Sequence, residues 1–168
     1  RPIPGTIETL AALRARGLKI GSCSGYPRQV MDVLLPMARA EGIEVDHVVA
    51  GDDLPAGGRP GAYMALANML ALQVPDVRRC VKVDDTQPGI EEGRNAGMWT
   101  VGLALSGAPA GLTLAQHAAL DETERTQIRE RVTAVQRAAG AHYVIDSVAD
   151  LLPVLDDIQQ RLANGETP

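Results

Sequence analysis

Lys82-Val-Asp-Asp-Thr-Gln-Pro-Gly-Ile-Glu-Glu-Gly-Arg-Asn-Ala-Gly-Met-Trp-Thr-Val-Gly-Leu103 is the stretch on which the fold turns. It reads as a buried strand that stops at two adjacent acids, then a short helix, a glycine turn and a second strand. Pro88 falls in the first helical turn, where its missing N–H is tolerated. A carboxylate pair at the point where a strand ends is a place to hold a divalent cation against an open crevice. Magnesium takes oxygen ligands and prefers one or two carboxylates plus substrate phosphate. The stretch therefore predicts metal-assisted phosphoryl chemistry.

Outward from it the pattern alternates helix and strand. Helices are expected over 6–16, 29–40, 62–72, 88–96, 121–139 and from Ser147 onward. Strands are expected over 18–23, 47–50, 79–83, 99–105 and 142–145. The helix of 29–40 carries Val30, Val33, Leu34 and Met37 on one face, and Pro36 is expected to kink it or shift its start. The polar helix of 121–139 has a narrow apolar stripe of Ile128, Val132 and Val135. Ser147 with Asp150 three residues on resembles a capping box. Such alternation argues a parallel sheet covered on both faces, that is, an α/β, Rossmann-like doubly wound fold forming a single unit over 1–168. In these sheets the ligand sits in the crevice outside the carboxyl ends of the strands. The residues that follow the strands are Ser24-Gly25-Tyr26, Gly51-Asp52-Asp53, Asp84-Asp85-Thr86 and Ser106-Gly107. Small, hydroxylic and acidic residues thus gather on one edge.

The chain has 168 residues, 16 Lys and Arg against 21 Asp and Glu, and a formal net charge of -5. The length suits one domain with its own core. Neither the net charge nor any Lys/Arg cluster favours nucleic acid or an anionic membrane surface as partner. No apolar run approaches the ~20 residues needed to cross a bilayer. The first residue is Arg1, and no secretory leader is visible. Cys23 and Cys80, both in expected strands, read as two buried thiols in a reducing compartment, so a cytoplasmic setting is expected.

Individual residues refine the site. Ser24 and Gly25 offer a hydroxyl and a close backbone N–H before a helix, which suits a phosphate oxygen; Ser24 is equally suited to cap that helix. Arg59, in Gly57-Gly58-Arg59-Pro60, is a planar fork on a loop that suits a phosphoryl clamp, or else a solvated loop arginine. Asp84 and Asp85 would alternate across a strand, so at most one of them is expected to face the site unless the turn begins between them. Asp85, at the turn, is the expected metal ligand. Asp84 is expected to bond the backbone or support the ligand from behind. Lys19 and Lys82 are the only lysines, and Lys82 is expected at a sheet surface or the site mouth. His47, His117 and His142 show no ligand spacing.

Gly21-Ser-Cys-Ser-Gly-Tyr26, Pro55-Ala-Gly-Gly-Arg-Pro60 and the run from Lys82 to Leu103, with its Asn-Ala-Gly-Met-Trp-Thr-Val-Gly string, resemble the phosphonoacetaldehyde hydrolase (phosphonatase) family of the haloacid dehalogenase superfamily. The resemblance extends to Gly111-Leu-Thr and Gly140-Ala-His. It implies a magnesium-dependent, homodimeric hydrolase that cleaves the carbon–phosphorus bond of a small phosphonate. A lysine would form a Schiff base with the aldehyde and an aspartate would take the phosphoryl group. It implies that Ser24 and Gly25, with Tyr26, bind the phosphoryl group, that Arg59 balances its charge, and that Asp85 binds the metal. The superfamily's second acid would fall at Gly89, so either Glu91, Glu92 or Asp84 is expected to compensate or the metal is expected to hold more water. No position matches the nucleophilic aspartate or the Schiff-base lysine. The chain is accordingly expected to be the C-terminal core of a longer enzyme, without its nucleophile strand and cap domain, and inactive alone. The alternatives are a phosphomonoester phosphatase of the same superfamily, or a non-catalytic phosphate- or partner-binding core.

Overall fold

A computed structural model describes residues 2–168. Seven α-helices and five strands alternate along these residues. They are α1 (Thr6–Ala15), β1 (Gly21–Cys23), α2 (Arg28–Ala40), β2 (His47–Val49), α3 (Tyr63–Ala71) and β3 (Val81–Asp84). Then follow α4 (Gln87–Ala96), β4 (Trp99–Leu103), α5 (Leu114–Ala119), α6 (Glu122–Ala138), β5 (Tyr143–Ile145) and α7 (Leu151–Ala163). Every strand pair is parallel. β1 pairs with β2 in the register Gly21↔His47. β4 lies between β3 and β5, with Val81 opposite Trp99 and Val101 opposite Tyr143. The expected sheet is therefore present in two pieces, β1-β2 and β3-β4-β5, with β1 and β3 not hydrogen-bonded to each other among the described residues.

Helices cover both faces. Leu13 of α1, Val101 of β4 and Leu151 of α7 center one core, joined by Ile20, Val81 and Val83. Ala65 of α3, Ala96 of α4 and Met98 center the other, joined by Cys23, Val77 and Cys80. The two-residue period of β3 sends Val81 and Val83 to the first core and Lys82 and Asp84 to the α4 side, where both are buried. The two cysteines are unpaired. Burial pushes the Cys23 and Cys80 thiols above their ordinary pKa.

Several expected boundaries moved. The first strand starts at Gly21 rather than Leu18, and α5 appears where no helix was expected. Thr113 closes a capping box with Gln116 at the start of α5. Pro36 sits inside α2, which begins at Arg28. The Ser147–Asp150 capping box is formed, but it opens a single 3-10 turn that leads into α7.

Two apolar faces did not bury as expected. On α2, Val30, Val33, Leu34 and Met37 are exposed, and Met31 is the buried residue. On α6, Val132 is buried but Val135 is 47% exposed, while the neighboring Gln136 is 1% exposed. The helix is turned so that an amide, not an aliphatic side chain, enters the protein beneath β4. No helix of the described residues is long and apolar enough to cross a membrane.

Candidate functional site

The carboxyl ends of β1 and β3 open onto a pocket of about 600 Å³ lined by Ser24, Gly25, Tyr26, Arg59, Asp84, Asp85 and Thr86 among others. Of the residues named from the sequence, Ser24, Gly25, Tyr26, Arg59, Asp84 and Asp85 are in this lining, whereas Glu91, Glu92 and the segments 51–53 and 106–107 are not. A second depression, about 460 Å³, lies at the amino ends of β1 and β2, beside Arg14, Lys19 and Asp46. It lacks the converging acids and hydroxyls of the first.

Ser24 follows β1. Its Oγ accepts from the Tyr26 backbone N–H at 3.1 Å, forming a tight turn. It does not cap α2, because Pro27 holds that position without a side-chain bond. The turn is braced from β2: Gly51 N–H donates to the Tyr26 carbonyl at 2.9 Å. Arg28 bonds both Asp52, through its backbone N–H, and Asp53, through its guanidinium. The Arg28 pair holds the Asp53 carboxyl below its ordinary pKa.

Arg59 is not a solvated loop residue. Its Nε donates to Glu92 Oε2 at 2.9 Å, and its Nη2 donates to Asp84 Oδ2 at 2.9 Å and to the Cys23 carbonyl at 3.1 Å. Nη1 has no bond to the described residues. Lys82 Nζ lies 3.1 Å from the same Asp84 oxygen and 3.2 Å from the same Glu92 oxygen. Lys82 is 8% exposed and Glu92 0%. The expectation that Lys82 faces a surface or the site mouth is thus corrected: β3's alternation points it at α4, from which Glu92 meets it. Two bases and two acids make a quartet at the floor of the pocket, with Lys82, Asp84 and Glu92 buried and Arg59 partly exposed.

Asp84 bonds the backbone, as expected, and carries further contacts. Besides Arg59 and Lys82, it accepts from Thr86 N–H at 3.0 Å and Thr86 Oγ1 at 2.8 Å. Burial opposes its charge, but Lys82, Arg59 and the Thr86 bonds outweigh that, and its pKa is lowered. Both acids line the pocket, because the strand ends at Asp84 and the turn begins between the two, the exception that strand alternation allows. The reason for Gly89 is now visible: a Cβ there would lie 2.0 Å from Asp84 Cγ. The strand carboxylate fills the space that a side chain on α4 would need.

Asp85 turns the other way. Its Oδ2 accepts from Ala108 N–H at 2.7 Å. Gly107 permits this, since a Cβ there would stand 2.4 Å from Asp85 Cβ. Gln136 Nε2 donates to the Asp85 carbonyl and to the Leu103 carbonyl, each at 2.9 Å. Gly102 makes room for it, since a Cβ there would fall 1.6 Å from Gln136 Oε1. Sequence reasoning missed Gln136, which sits beside an apolar stripe. The neighboring Gly102 in an otherwise apolar strand was the signal for a close approach.

The donor set suits one kind of cation. Asp84 has both oxygens committed, whereas Asp85 Oδ1 makes no bond among the described residues. No group of three or more His, Cys, Asp or Glu is arranged to hold a metal among the described residues. One carboxylate with a free oxygen fits an ion that keeps most of its water and shares the substrate's oxygens. Of the histidines, His47 bonds Asn68 at 2.8 Å and His142 bonds Thr100 at 2.9 Å.

A family model described as haloacid dehalogenase-like hydrolase matches residues 1–97. The chain is 58% identical over 167 residues to a phosphonoacetaldehyde hydrolase of Klebsiella pneumoniae subsp. pneumoniae, covering 99% of this chain and 62% of that protein. It is also 58% identical over 168 residues to the Bordetella pertussis protein of the same name, covering 100% and 60%. The crystal structure of a phosphonoacetaldehyde hydrolase-like protein from Oleispira antarctica superposes with a TM-score of 0.97 at 45% identity, covering 100% of this chain and 60% of that one. The chain thus spans about 60% of the length of these relatives.

Proposed function

This chain belongs to the haloacid dehalogenase-like hydrolases, and from that premise we propose that it is the phosphoryl-holding core of a phosphonoacetaldehyde hydrolase, acting in the cytoplasm as a homodimer. The observation that carries the reading is the convergence of Ser24, Gly25, Arg59 and Asp85 on one pocket at the strand ends. The whole-chain likeness to curated relatives of that name supports the substrate class.

In this reading the substrate's phosphonate enters between β1 and β3. The Ser24 hydroxyl keeps its proton for a phosphonate oxygen, because its own Oγ serves as acceptor for Tyr26 N–H. The Gly25 N–H gives a second donor. Arg59 presents Nη1, with Nε and Nη2 already fixed on Glu92, Asp84 and Cys23. Such pre-aimed donors stabilize charge without reorganizing as the reaction proceeds. Magnesium, held by Asp85, would neutralize charge on the phosphoryl oxygens.

The reaction asks for two further groups. An amine condenses with the aldehyde and releases water. A carboxylate attacks phosphorus as the carbon–phosphorus bond breaks, and the bonding pair passes into the iminium to give an enamine. Water then hydrolyzes the acyl phosphate, and the enamine is protonated and hydrolyzed to acetaldehyde. Neither lysine of this chain suits the amine's part. Lys82 is held by Asp84 and Glu92, and Lys19 bonds the Leu72 carbonyl far from the pocket. The reading therefore gives residues 1–168 the phosphate half of the chemistry.

The test uses the protein that contains this chain at the length of its curated relatives. With phosphonoacetaldehyde and magnesium it should release acetaldehyde and phosphate, and borohydride should trap a covalent adduct visible in the intact mass. Phosphate release from phosphomonoesters without an adduct would assign an ordinary phosphatase. No turnover of either substrate class would assign a binding core.

A further inference from the structure

The quartet under the pocket is costly. Each buried ion gives up its hydration, and well-packed apolar residues often serve stability as well or better. Its charges also sum to zero: Arg59 and Lys82 against Asp84 and Glu92. Each acid touches both bases, with all four contacts between 2.9 and 3.2 Å. If aiming Arg59 were the whole purpose, its two carboxylates would suffice and Lys82 would have no place. Lys82 instead removes the excess negative charge that the second carboxylate brings. Glu92 Oε1 accepts no hydrogen bond among the described residues, so the contacts that hold this carboxylate run through Oε2 to the two bases.

We propose that Asp84, Glu92 and Lys82 form an electrostatic counterweight to Arg59, which lets the guanidinium direct a phosphoryl oxygen while adding no net positive charge to the pocket. Its consequence is weak retention of the phosphate product, so that release is easy. The inference rests on the phosphoryl-site reading above and goes beyond it by assigning three residues the setting of anion affinity.

The test measures inorganic phosphate binding by calorimetry at low ionic strength in EDTA, which removes any metal contribution. Glu92→Gln and Asp84→Asn each leave the quartet at +1, and each should tighten phosphate roughly threefold to tenfold. Lys82→Met leaves it at -1 and should loosen phosphate by a similar factor. The double variant Lys82→Met/Glu92→Gln is neutral again and should bind as the parent does. Circular dichroism establishes that each variant is folded; if Asp84→Asn is not, Glu92→Gln and the neutral double carry the test. Weaker binding in the acid variants would mean that the acids only aim Arg59, and would overturn the counterweight. So would an unchanged affinity, or a double variant that fails to return to the parent's value. A parent that binds no phosphate would instead bring down the phosphoryl site itself, and the counterweight with it.

Discussion

Gln136 on α6 and Asp85 at the end of β3, 51 residues apart, are joined by a 2.9 Å hydrogen bond from the Gln136 amide to the Asp85 carbonyl. The same nitrogen holds the Leu103 carbonyl at the end of β4. One buried amide thus sets the spacing of two strand ends and the backbone from which Asp85 projects. The amide cannot be reversed, since its oxygen would then face two carbonyl oxygens.

Replacing Gln136 with leucine strands both carbonyls without that donor. We expect a loss of about 1–3 kcal/mol of stability, read from urea unfolding. Magnesium affinity should fall as well, because the turn carrying Asp85 loosens. Unchanged stability would show that solvent replaces the amide.

Asp85→Asn keeps an oxygen to accept from Ala108 N–H and removes only the charge. Magnesium affinity, measured by calorimetry, is expected to drop at least about tenfold, with little change in melting temperature. An equal drop for Asp84→Asn with Asp85 intact would place the metal on the wrong acid.

Gln73 is the one non-glycine residue with a positive φ among the described residues, at 54°. It ends α3, where Val74 N–H reaches back to the Met69 carbonyl and Gln73 N–H to that of Leu70. A side chain in this left-handed position is disfavored. Gln73→Gly should therefore raise stability by about 0.5–1 kcal/mol in the same unfolding assay.

His142 gives a pH dependence. Burial, then the nearby Arg94, Arg137 and Arg161, lower its pKa from 6.5 to about 4. The unfolded chain takes up the proton first, so this contribution to stability is complete above about pH 6.5 and lost as the pH falls toward 4. Melting temperatures taken across that range should decline on acidification. The decline should be smaller in His142→Asn. Parallel profiles for the two proteins would assign the slope to other groups.

Much of this architecture was legible from the sequence, because a strand period of two and a helix period of 3.6 mark core faces directly. Part of the pocket lining was legible too, since in a parallel sheet the residues following the strands share one edge, here those after β1 and β3. The support beneath it was not. Glu92 and Lys82 look like surface residues in one dimension, and only the meeting of β3 with α4 makes them a buried pair. Gln136 was hidden for the opposite reason: Val135 beside it completed the apolar stripe that the helix period invites. The face of Val30, Val33, Leu34 and Met37 misled because periodicity reports a shared side of a helix, not what lies opposite it.

The contact between Asp84 and Gly89 has a consequence for how this sequence can change. With the Asp84 carboxyl in its present place there is no room for a side chain at 89, so an acid at both positions would force Asp84 off Thr86, Arg59 and Lys82. An exchange of the acid from strand to helix avoids that by emptying position 84 first. Any small residue at 84 would then leave room for an acid at 89. The intermediate leaves Lys82 and Arg59 facing a single carboxylate, Glu92. Asp84 and Gly89 are therefore coupled by shape, and a change at 89 is expected to be tolerated only together with a change at 84.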